Sequence, residues 1–380
     1  MGVLRRKCHV KLTPPASFLL DADQWEVPTD ARATATEGAA RRPGAGSGIR
    51  RSATVTASHH GLRIIVAGAT GYIGRHVARE LIGRGHRVVS LARATRQPLP
   101  PELAGSEVRT AEVCDSASLA REGFAGEPVD AVVSCIASRS GGITDAWRVD
   151  YAANRKLLAA ARAAGVRQFL LLSAICVQKP RLAFQHAKLA FEQALQASEL
   201  NWTIVRPTAF YKSLAGQVPR VRAGKPYLLF GDGGTACRPI SERDLAAFMA
   251  DCLENPSRQR RILPIGGPDP ALTARERGEL LFELTGRRPR FRRIPIRLLD
   301  TLIPTLDALA CAAPRLSDKA EFARIARYYA TEDMLWLDPA TGRYDAAATP
   351  ATGRDTLSDF YRRVLREGMA GQELGEQGIF

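Results

Sequence analysis

Residues 61–74 read GLRIIVAGATGYIG, and this stretch decides the fold. Its first half is a short, continuous apolar run, which is typical of a strand buried on both faces. Its second half places Gly68, Gly71 and Gly74 between that strand and the helical segment RHVARELIGRG. At this spacing one glycine allows a tight turn, one lets the backbone approach a pyrophosphate, and one allows close packing of helix on strand. The stretch therefore predicts a dinucleotide-binding turn that opens a parallel sheet.

The rest of the chain continues the alternation of apolar runs and helical stretches. Helical patterns such as WRVDYAANRKLLAAARAAG separate most of the runs. Because strands that alternate with helices form parallel sheets, the predicted fold class is α/β. We expect a Rossmann-type doubly wound parallel sheet with a smaller C-terminal substrate-binding region. The further strand candidates are HRVVSLA, SEVRTAEV, VDAVVSCIA, RQFLLLSAI, NWTIVRP and RRILPIGG.

Composition and pattern divide the chain into three parts. Residues 1–60 are small, polar and aperiodic, which predicts a disordered N-terminal extension. Residues 61–210 are predicted to form the dinucleotide-binding Rossmann core. Residues 211–380 are predicted to form a mixed region that covers the substrate and returns late strands to the core sheet. Within this region, Thr273 and Glu276 have the spacing of a helix capping box.

Composition also narrows the class of protein. Hydrophobic residues make up 45% of the chain, as in a soluble globular protein, and no uncharged apolar stretch approaches the ~18 residues of a spanning helix. Seven scattered cysteines without a C-x-x-C pair argue against a disulfide framework or a zinc ribbon, and no metal site is predicted. The net charge of +15 is spread along the chain. This argues against nucleic-acid binding and favours an anionic small substrate or a membrane surface.

The end of the second strand candidate favours NADPH over NADH. An NAD site needs a carboxylate there to hold the ribose hydroxyls, whereas this strand ends SLAR, with Arg93 and then Arg96. Arginine suits the 2′-phosphate of NADPH by charge and by stacking on adenine. Asp115 is predicted to meet the adenine edge. Ser134 and Cys135 are predicted to line the path of the ribose and nicotinamide, with a small buried side chain as the alternative for the cysteine. The cofactor contacts predicted in the glycine turn are Gly68, Thr70, Gly71, Tyr72, Ile73 and Gly74.

Three segments together resemble the short-chain dehydrogenase/reductase superfamily in its extended or atypical branch: GATGYIG, LLLSAICVQKP and the helix that carries Lys188. In most members a Ser–Tyr–Lys set moves a proton to or from a carbonyl or alcohol oxygen. The resemblance assigns the serine to Ser173 and the lysine to Lys188, which would also hold the nicotinamide ribose. Phe184 stands where the tyrosine belongs, and a phenyl ring cannot donate a proton. Ordinary ketone–alcohol chemistry is therefore placed in doubt.

Longer strings resemble the NADPH-dependent divinyl chlorophyllide 8-vinyl reductases over nearly everything after residue 60. They are VVSCIASRSGG, DAWRVDYAAN, LLLSAICVQKPRLAFQHAKLAFE, VRPTAFYKSLAGQV, CRPISERDLA and EGMAGQELGEQGIF. The resemblance implies reduction of the 8-vinyl group of a magnesium chlorin or porphyrin to ethyl, a step of chlorophyll and bacteriochlorophyll synthesis. The macrocycle can delocalise charge between hydride and proton transfer, so no tyrosine is needed. Phe184 would then pack against the flat chlorin, or be an ordinary core position.

The resemblance leaves the proton donor open among Lys188, Ser173, Tyr211 and water. His186 is a candidate axial ligand of the substrate's magnesium, with an exposed helix position as the alternative. Arg206, after the sixth strand candidate, is predicted to shape the nicotinamide pocket. A substrate carboxylate favours a cation near the crevice mouth. The candidate cations are Arg139, Lys179, Arg181 and Arg238.

Other functions and locations stay open. One alternative is an isoflavone- or ether-type NADPH reductase of a soluble substrate. Others are a non-catalytic NADP(H)-sensing regulator and a structural subunit of a membrane complex. The arginine and alanine bias suits the cytoplasm of a photosynthetic bacterium, with possible peripheral contact to the photosynthetic membrane. A plastid location, with residues 1–60 as a transit peptide, is the alternative. Chlorophyllide and protochlorophyllide both fit as substrates, and the sequence predicts no oligomeric state.

Overall fold

Strands and helices alternate to build a parallel sheet covered on both faces. The computed structural model describes residues 61–94, 98–310, 313 and 316–368. The predictions for residues 1–60 fall outside these ranges. The strands of the main sheet and of three smaller pairs are β1 Arg63–Ala67, β2 Arg87–Ala92, β3 Glu107–Thr110, β4 Ala131–Ser134, β5 Gln168–Leu172, β6 Asn201–Pro207, β7 Tyr227–Phe230, β8 Ala236–Cys237, β9 Arg261–Ile265, β10 Leu272–Thr273, β11 Phe291–Ile294, β12 Trp336–Leu337 and β13 Tyr344–Asp345.

Within the described ranges, seven strands form one sheet in the order β3-β2-β1-β4-β5-β6-β9, and every neighbouring pair is parallel. This order confirms the predicted doubly wound α/β fold. All seven strand candidates of the sequence contribute a strand to it. β3 is an edge strand, so most of its side chains are exposed.

The helices begin and end close to the predicted helical patterns. They are α1 Tyr72–Gly83, α2 Ser116–Ser118, α3 Ile143–Ala146, α4 Asn154–Ala163, α5 Ala183–Gln196, α6 Val218–Arg222, α7 Glu242–Glu254, α8 Ala274–Leu284, α9 Arg297–Ala310, α10 Leu316–Thr331 and α11 Leu357–Glu367. A π-helical segment, Trp147–Ala153, joins α3 to α4. The predicted capping box is confirmed at α8, where Thr273 and Glu276 satisfy each other's backbone N–H groups.

The continuous apolar character of β1 follows from burial on both faces. Ile64 and Val66 pack under α1 and α7, whereas Ile65 and Ala67 pack on the opposite face under α4 and α5. Successive side chains of a strand point to opposite faces, so a strand covered twice has no polar position to alternate with. The same reason explains the runs in the neighbouring strands.

Apart from α7 and β9, most of the described chain after β6 forms a second layer. Here α8 and α11 enclose a core that includes Tyr211, Phe282, Phe360 and Tyr361. A hairpin of α9 and α10 packs on the first turn of α5, because Glu321 accepts the Ala183 N–H at 2.8 Å. β9 leaves this layer and pairs with β6. In the described residues, no helix is long and apolar enough to cross a membrane.

Gly74→Ala should destabilise the contact between α1 and β1. A Cβ at this position would lie 2.2 Å from the Gly68 carbonyl oxygen, which is backbone and cannot swing aside. We expect the free energy of unfolding, measured by denaturant titration, to fall by about 2 kcal/mol. Gly83→Ala, at the end of the same helix, is the control, since its Cβ would meet no atom within 4 Å. Equal stability of the two variants would contradict this account of the glycine.

Candidate active site

The glycine turn lies where β1 ends and α1 begins. Gly68 has a φ of +80°, and a Cβ there would lie 2.6 Å from the carbonyl oxygen of Cys135, just after β4. Only glycine fits a position that is both left-handed and this crowded. Gly71 is exposed and precedes α1 without a capping side chain. The N–H groups of the first helical turn are therefore placed for a ligand, and the turn fits the pyrophosphate of a dinucleotide.

The adenosine end of the site is predicted to lie along the carboxyl edge of β2 and β3. Arg93 is exposed and directly follows β2. Arg96, its predicted companion, lies outside the described residues. Asp115 is exposed, and its Oδ1 accepts the Ala117 N–H at 3.0 Å, so this oxygen caps α2. One carboxylate oxygen is thus used locally at the position predicted to meet adenine.

Two of the predicted contacts in the glycine turn have other roles for their side chains. Ile73 is buried in the core between α1 and the sheet. The Tyr72 hydroxyl donates to Glu242 at 2.7 Å, which ties α1 to α7. Only the backbone of Ile73 is placed to contact a cofactor, whereas Thr70, beside Gly71, is half-buried.

Lys188 is held at the centre of the sheet edge by a buried carboxylate. Its ammonium lies 2.9 Å from Oδ1 of Asp150, and the side chains are 12% and 1% exposed. Asn154 donates to the Asp150 carbonyl oxygen at 3.0 Å and accepts a hydrogen bond from the Ser134 hydroxyl. Since Ser134 ends β4, the network places Lys188 beside the point where the strand order reverses. Ligands of doubly wound folds bind at that point.

Ser173 belongs to a second buried network. Its hydroxyl donates to Glu192, a carboxylate that is 0% exposed on α5. The Arg206 guanidinium pairs with the same carboxylate from β6. Arg206 therefore neutralises Glu192, a different role from the predicted shaping of the nicotinamide pocket. The hydroxyl proton of Ser173 is committed to Glu192, so its lone pairs are what it can offer to a ligand.

Cys135 lies close enough to Lys188 for the two to interact. Burial raises the pKa of the Cys135 thiol to about 12, while the charge of Lys188 opposes that rise. A raised pKa favours the protonated thiol, which is a poor nucleophile.

Phe184 lies one helical turn before Lys188 on the same face of α5. Its half-buried ring packs among apolar side chains that include Trp147 and Ile325. A Cβ on Gly141 would come within 3.9 Å of the ring. The position of the missing phenol is thus an apolar wall above Lys188.

Tyr211 is placed too deep to act as a proton donor. It is 0% exposed, and its hydroxyl donates to the carbonyl oxygen of Asp355. Burial, helped by nearby carboxylates such as Asp269, raises the pKa of the phenol above its ordinary value. The prediction that Tyr211 is a catalytic candidate is corrected to a packing role in the second layer.

Three of the predicted substrate cations contact other groups of the protein. Lys179 lies 2.7 Å from Glu332, and Arg181 lies 2.8 Å from the other oxygen of the same carboxylate. Arg238 donates to three backbone carbonyl oxygens, those of residues 267, 269 and 349. Arg238 thus fastens loops, which corrects its predicted role at the crevice mouth. Arg139 is exposed in the loop after β4.

His186 is half-buried on α5, and burial lowers the pKa of its imidazole. A neutral imidazole can bind a metal ion, so the ring has the protonation state that a magnesium contact would need.

The sequence did not predict the buried residues that position Lys188 and Ser173, which are Asp150, Asn154 and Glu192. Each is buried, although each is a residue type that normally prefers the surface. For Glu192, the sequence does contain an indication of burial. This residue lies four positions after Lys188 and directly follows the core residue Phe191. A carboxylate on the apolar face of a helix indicates a buried partner.

Known proteins resemble the chain at two levels. A family profile described as NAD(P)H-binding matches residues 68–256. The crystal structure of the NADPH-dependent quinone oxidoreductase QOR2 from Escherichia coli, complexed with NADPH, gives a TM-score of 0.58 at 20% identity. The match covers 79% of this chain and 99% of that one, and it supports the fold alone.

Two curated relatives are much more similar. The chloroplastic divinyl chlorophyllide a 8-vinyl-reductase of Zea mays is 52% identical over 331 residues, 83% of this chain and 82% of the relative. The protein of the same name from Arabidopsis thaliana is 49% identical over 335 residues, 83% of this chain and 80% of the relative. Identity at this level over most of both sequences shows common family membership. With its glycine turn and Lys188 in place, the chain belongs to the divinyl chlorophyllide a 8-vinyl-reductase family and is an NAD(P)H-binding oxidoreductase.

Proposed function

We propose that this enzyme reduces the 8-vinyl group of divinyl chlorophyllide to ethyl with NADPH, in chlorophyll synthesis. The observation that carries the proposal is the arrangement on α5, where Asp150 holds Lys188 one turn from Phe184. The site keeps the cation of a reductase and replaces the phenol by an apolar ring. This suits a flat conjugated substrate better than a ketone, and the relatives at about half identity support the same reaction.

The residues of the site have two tasks in this reaction: they position the cofactor and substrate, and they supply a proton. NADPH supplies the hydride when it is bound. The glycine turn holds its pyrophosphate, and Lys188 holds the nicotinamide ribose in reach of the crevice. Tyr211 is buried and Ser173 donates to Glu192, which leaves Lys188 or a water molecule bound to it as the proton donor. Phe184 lines the face on which the macrocycle lies, and it keeps water away from the reacting carbon.

For the substrate carboxylate, Arg139 is the candidate cation that fits best. Arg139 is exposed, and its loop continues to Gly141 beside Phe184. His186, on the same helix as Phe184, is the candidate contact to the magnesium of the substrate.

The direct test follows two absorbances in one cuvette. Purified enzyme is mixed with NADPH and 3,8-divinyl chlorophyllide a, and the Soret band and NADPH absorbance are recorded together. A blue shift of the Soret band with matching loss of NADPH is expected. NADPH binding without any spectral change would favour the redox-sensing regulator, and turnover only of a soluble phenylpropanoid would favour the other reductase. Running protochlorophyllide in parallel gives the substrate preference.

Arg93→Asp should reverse the cofactor preference, because it exchanges a partner of the 2′-phosphate for a partner of ribose hydroxyls. We expect kcat/KM with NADPH to fall by roughly tenfold to 100-fold, the loss of one charge-assisted contact, while the value with NADH is kept or raised. Arg87→Asp is the matched control, since Arg87 is exposed at the opposite end of β2. A parallel fall with both cofactors would reject this assignment of Arg93.

The names of the relatives bear on the cellular location of this chain. Their names place them in the chloroplast, which favours the plastid alternative for this chain. The cytoplasmic location stays a prediction. A fusion of residues 1–60 to a fluorescent reporter, tested for import into isolated plastids, separates the two.

A further inference from the structure

The α9 helix presents an apolar stripe to the solvent. Five large apolar side chains are markedly exposed among the described residues, and three of them lie on α9: Leu298, Leu302 and Leu309, exposed by 60%, 43% and 52%. At 3.6 residues per turn these three lie within roughly 40° of one another around the helix axis. None of the fourteen residues of α9 is buried. We call this set the leucine stripe.

A strongly basic segment leads directly into the stripe. Residues 284–299 contain six arginines and no carboxylate, and all six are exposed. The segment includes β11 and the first residues of α9. The arginine segment, residues 287–297, consists of Arg287, Arg288, Arg290, Arg292, Arg293 and Arg297 with the residues between them.

The acidic residues of α9 are turned away from this surface. Asp300 pairs with Arg327 and Asp307 pairs with Arg324, both at 2.5 Å and both on α10. Half-buried positions such as Leu299 and Ile303 lie on the same side as α10. The leucine stripe therefore directly follows six exposed arginines, none of which pairs with a carboxylate among the described residues. Exposed apolar side chains next to such basic residues are typical of segments that lie in the interface of an anionic bilayer.

We propose that the leucine stripe and the arginine segment dock the enzyme on the surface of an anionic lipid bilayer. A second copy of the chain fits this surface poorly, because a two-fold contact would bring the two arginine segments together. A bilayer surface offers negative charge to the arginines and an apolar boundary to the leucines at the same time. Docking is peripheral, since α9 lies along the surface and does not span the membrane.

Docking at α9 would place the lipid on the side of the enzyme where α10 borders the crevice. The α10 helix separates α9 from the start of α5, where Glu321 caps Ala183 and Ile325 packs near Phe184. Because the leucines face away from α10, both helices separate the stripe from the wall above Lys188, a distance of about two helix diameters or roughly 20 Å. An apolar macrocycle that leaves the bilayer would then enter the crevice from the side on which α9 and α10 lie. This last step rests on the proposed function, whereas lipid binding does not.

The test is flotation of the purified full chain with vesicles. One set is phosphatidylcholine alone and the other contains phosphatidylglycerol, each at low and high salt. We expect binding to the anionic vesicles only, and weaker binding at high salt. Arg292→Glu/Arg293→Glu, and separately Leu298→Gln/Leu302→Gln/Leu309→Gln, should each weaken binding by roughly tenfold or more. All these side chains are exposed, so folding is expected to be kept, as circular dichroism would verify.

Two controls carry changes of the same kind elsewhere. Arg121→Glu/Arg362→Glu reverses two exposed charges outside the arginine segment, and Val108→Gln removes one exposed apolar side chain from β3. Wild-type protein that fails to float, or controls that weaken binding as much as the α9 variants, would overturn the proposal. So would a change of oligomeric state in the α9 variants without a change in flotation, which assigns the surface to a second copy. Turnover of detergent-dispersed chlorophyllide in the same preparations reports separately on the proposed function.

Discussion

Lys188→Ala lowers kcat/KM for divinyl chlorophyllide by about 100-fold or more. Lys188 is the cation beside the crevice, and loss of a positioned proton donor alone costs at least this much. The simultaneous record of the Soret band and of NADPH absorbance measures the effect. Lys188→Arg keeps the charge and the pairing with Asp150 but changes the geometry of the donors, so partial activity is expected.

The alanine variant needs a control for folding, because it leaves Asp150 buried and unpaired. Such a charge costs roughly 3 kcal/mol of unfolding free energy. Lys188→Ala/Asp150→Asn removes the charge while the amide can still accept the N–H of Ser138. We expect this double variant to regain stability without regaining activity. Recovery of activity in the double variant would show that Lys188 only supports the fold.

Glu192→Ala is expected to destabilise the enzyme strongly. It leaves Arg206 without its partner and Ser173 without its acceptor around a buried position. Breaking a buried ion pair from one side costs about 3–5 kcal/mol. Glu192→Gln retains an acceptor for Ser173, so its free energy of unfolding should lie between those of Glu192→Ala and the wild type. Denaturant unfolding measures both.

Glu199→Ala is the surface comparison. Glu199 pairs with Arg162, and both side chains are more than half exposed. Solvent screens such a pair, so its removal is expected to cost less than about 1 kcal/mol. If Glu192→Ala were as mild as Glu199→Ala, the Ser173–Glu192–Arg206 network would have no part in stability.

The buried strands and the glycine turn could be predicted from the sequence alone. A run such as that of Ile64 and Ile65 predicts a doubly covered strand because burial on both faces excludes polar side chains. The roles of Gly68 and Gly74 could be predicted because only glycine fits at these positions. Both are crowded by backbone atoms, and Gly68 also has a positive φ. These constraints act within about ten residues, so a short stretch of sequence is enough to reveal them.

The errors share one cause. Tyr211, Lys179 and Arg238 carry suitable chemistry, but nothing in the sequence around them indicates that each side chain already has a partner. Tyr211 bonds to residue 355, Lys179 to residue 332 and Arg238 to residue 349. These partners are more than a hundred residues away, and chain spacing does not encode which polar groups meet at that separation.

By itself the sequence determined the strand alternation, the dinucleotide turn and the positions of Ser173, Phe184 and Lys188, because each depends on local backbone geometry or on a motif. Only the tertiary structure decided how those groups are held. Asp150 reaches Lys188 across 38 positions of the chain, and the packing of α5 on the sheet brings Glu192 to both Ser173 and Arg206. A buried charge is stable only with its partner in place, and that partner is fixed when the elements pack together.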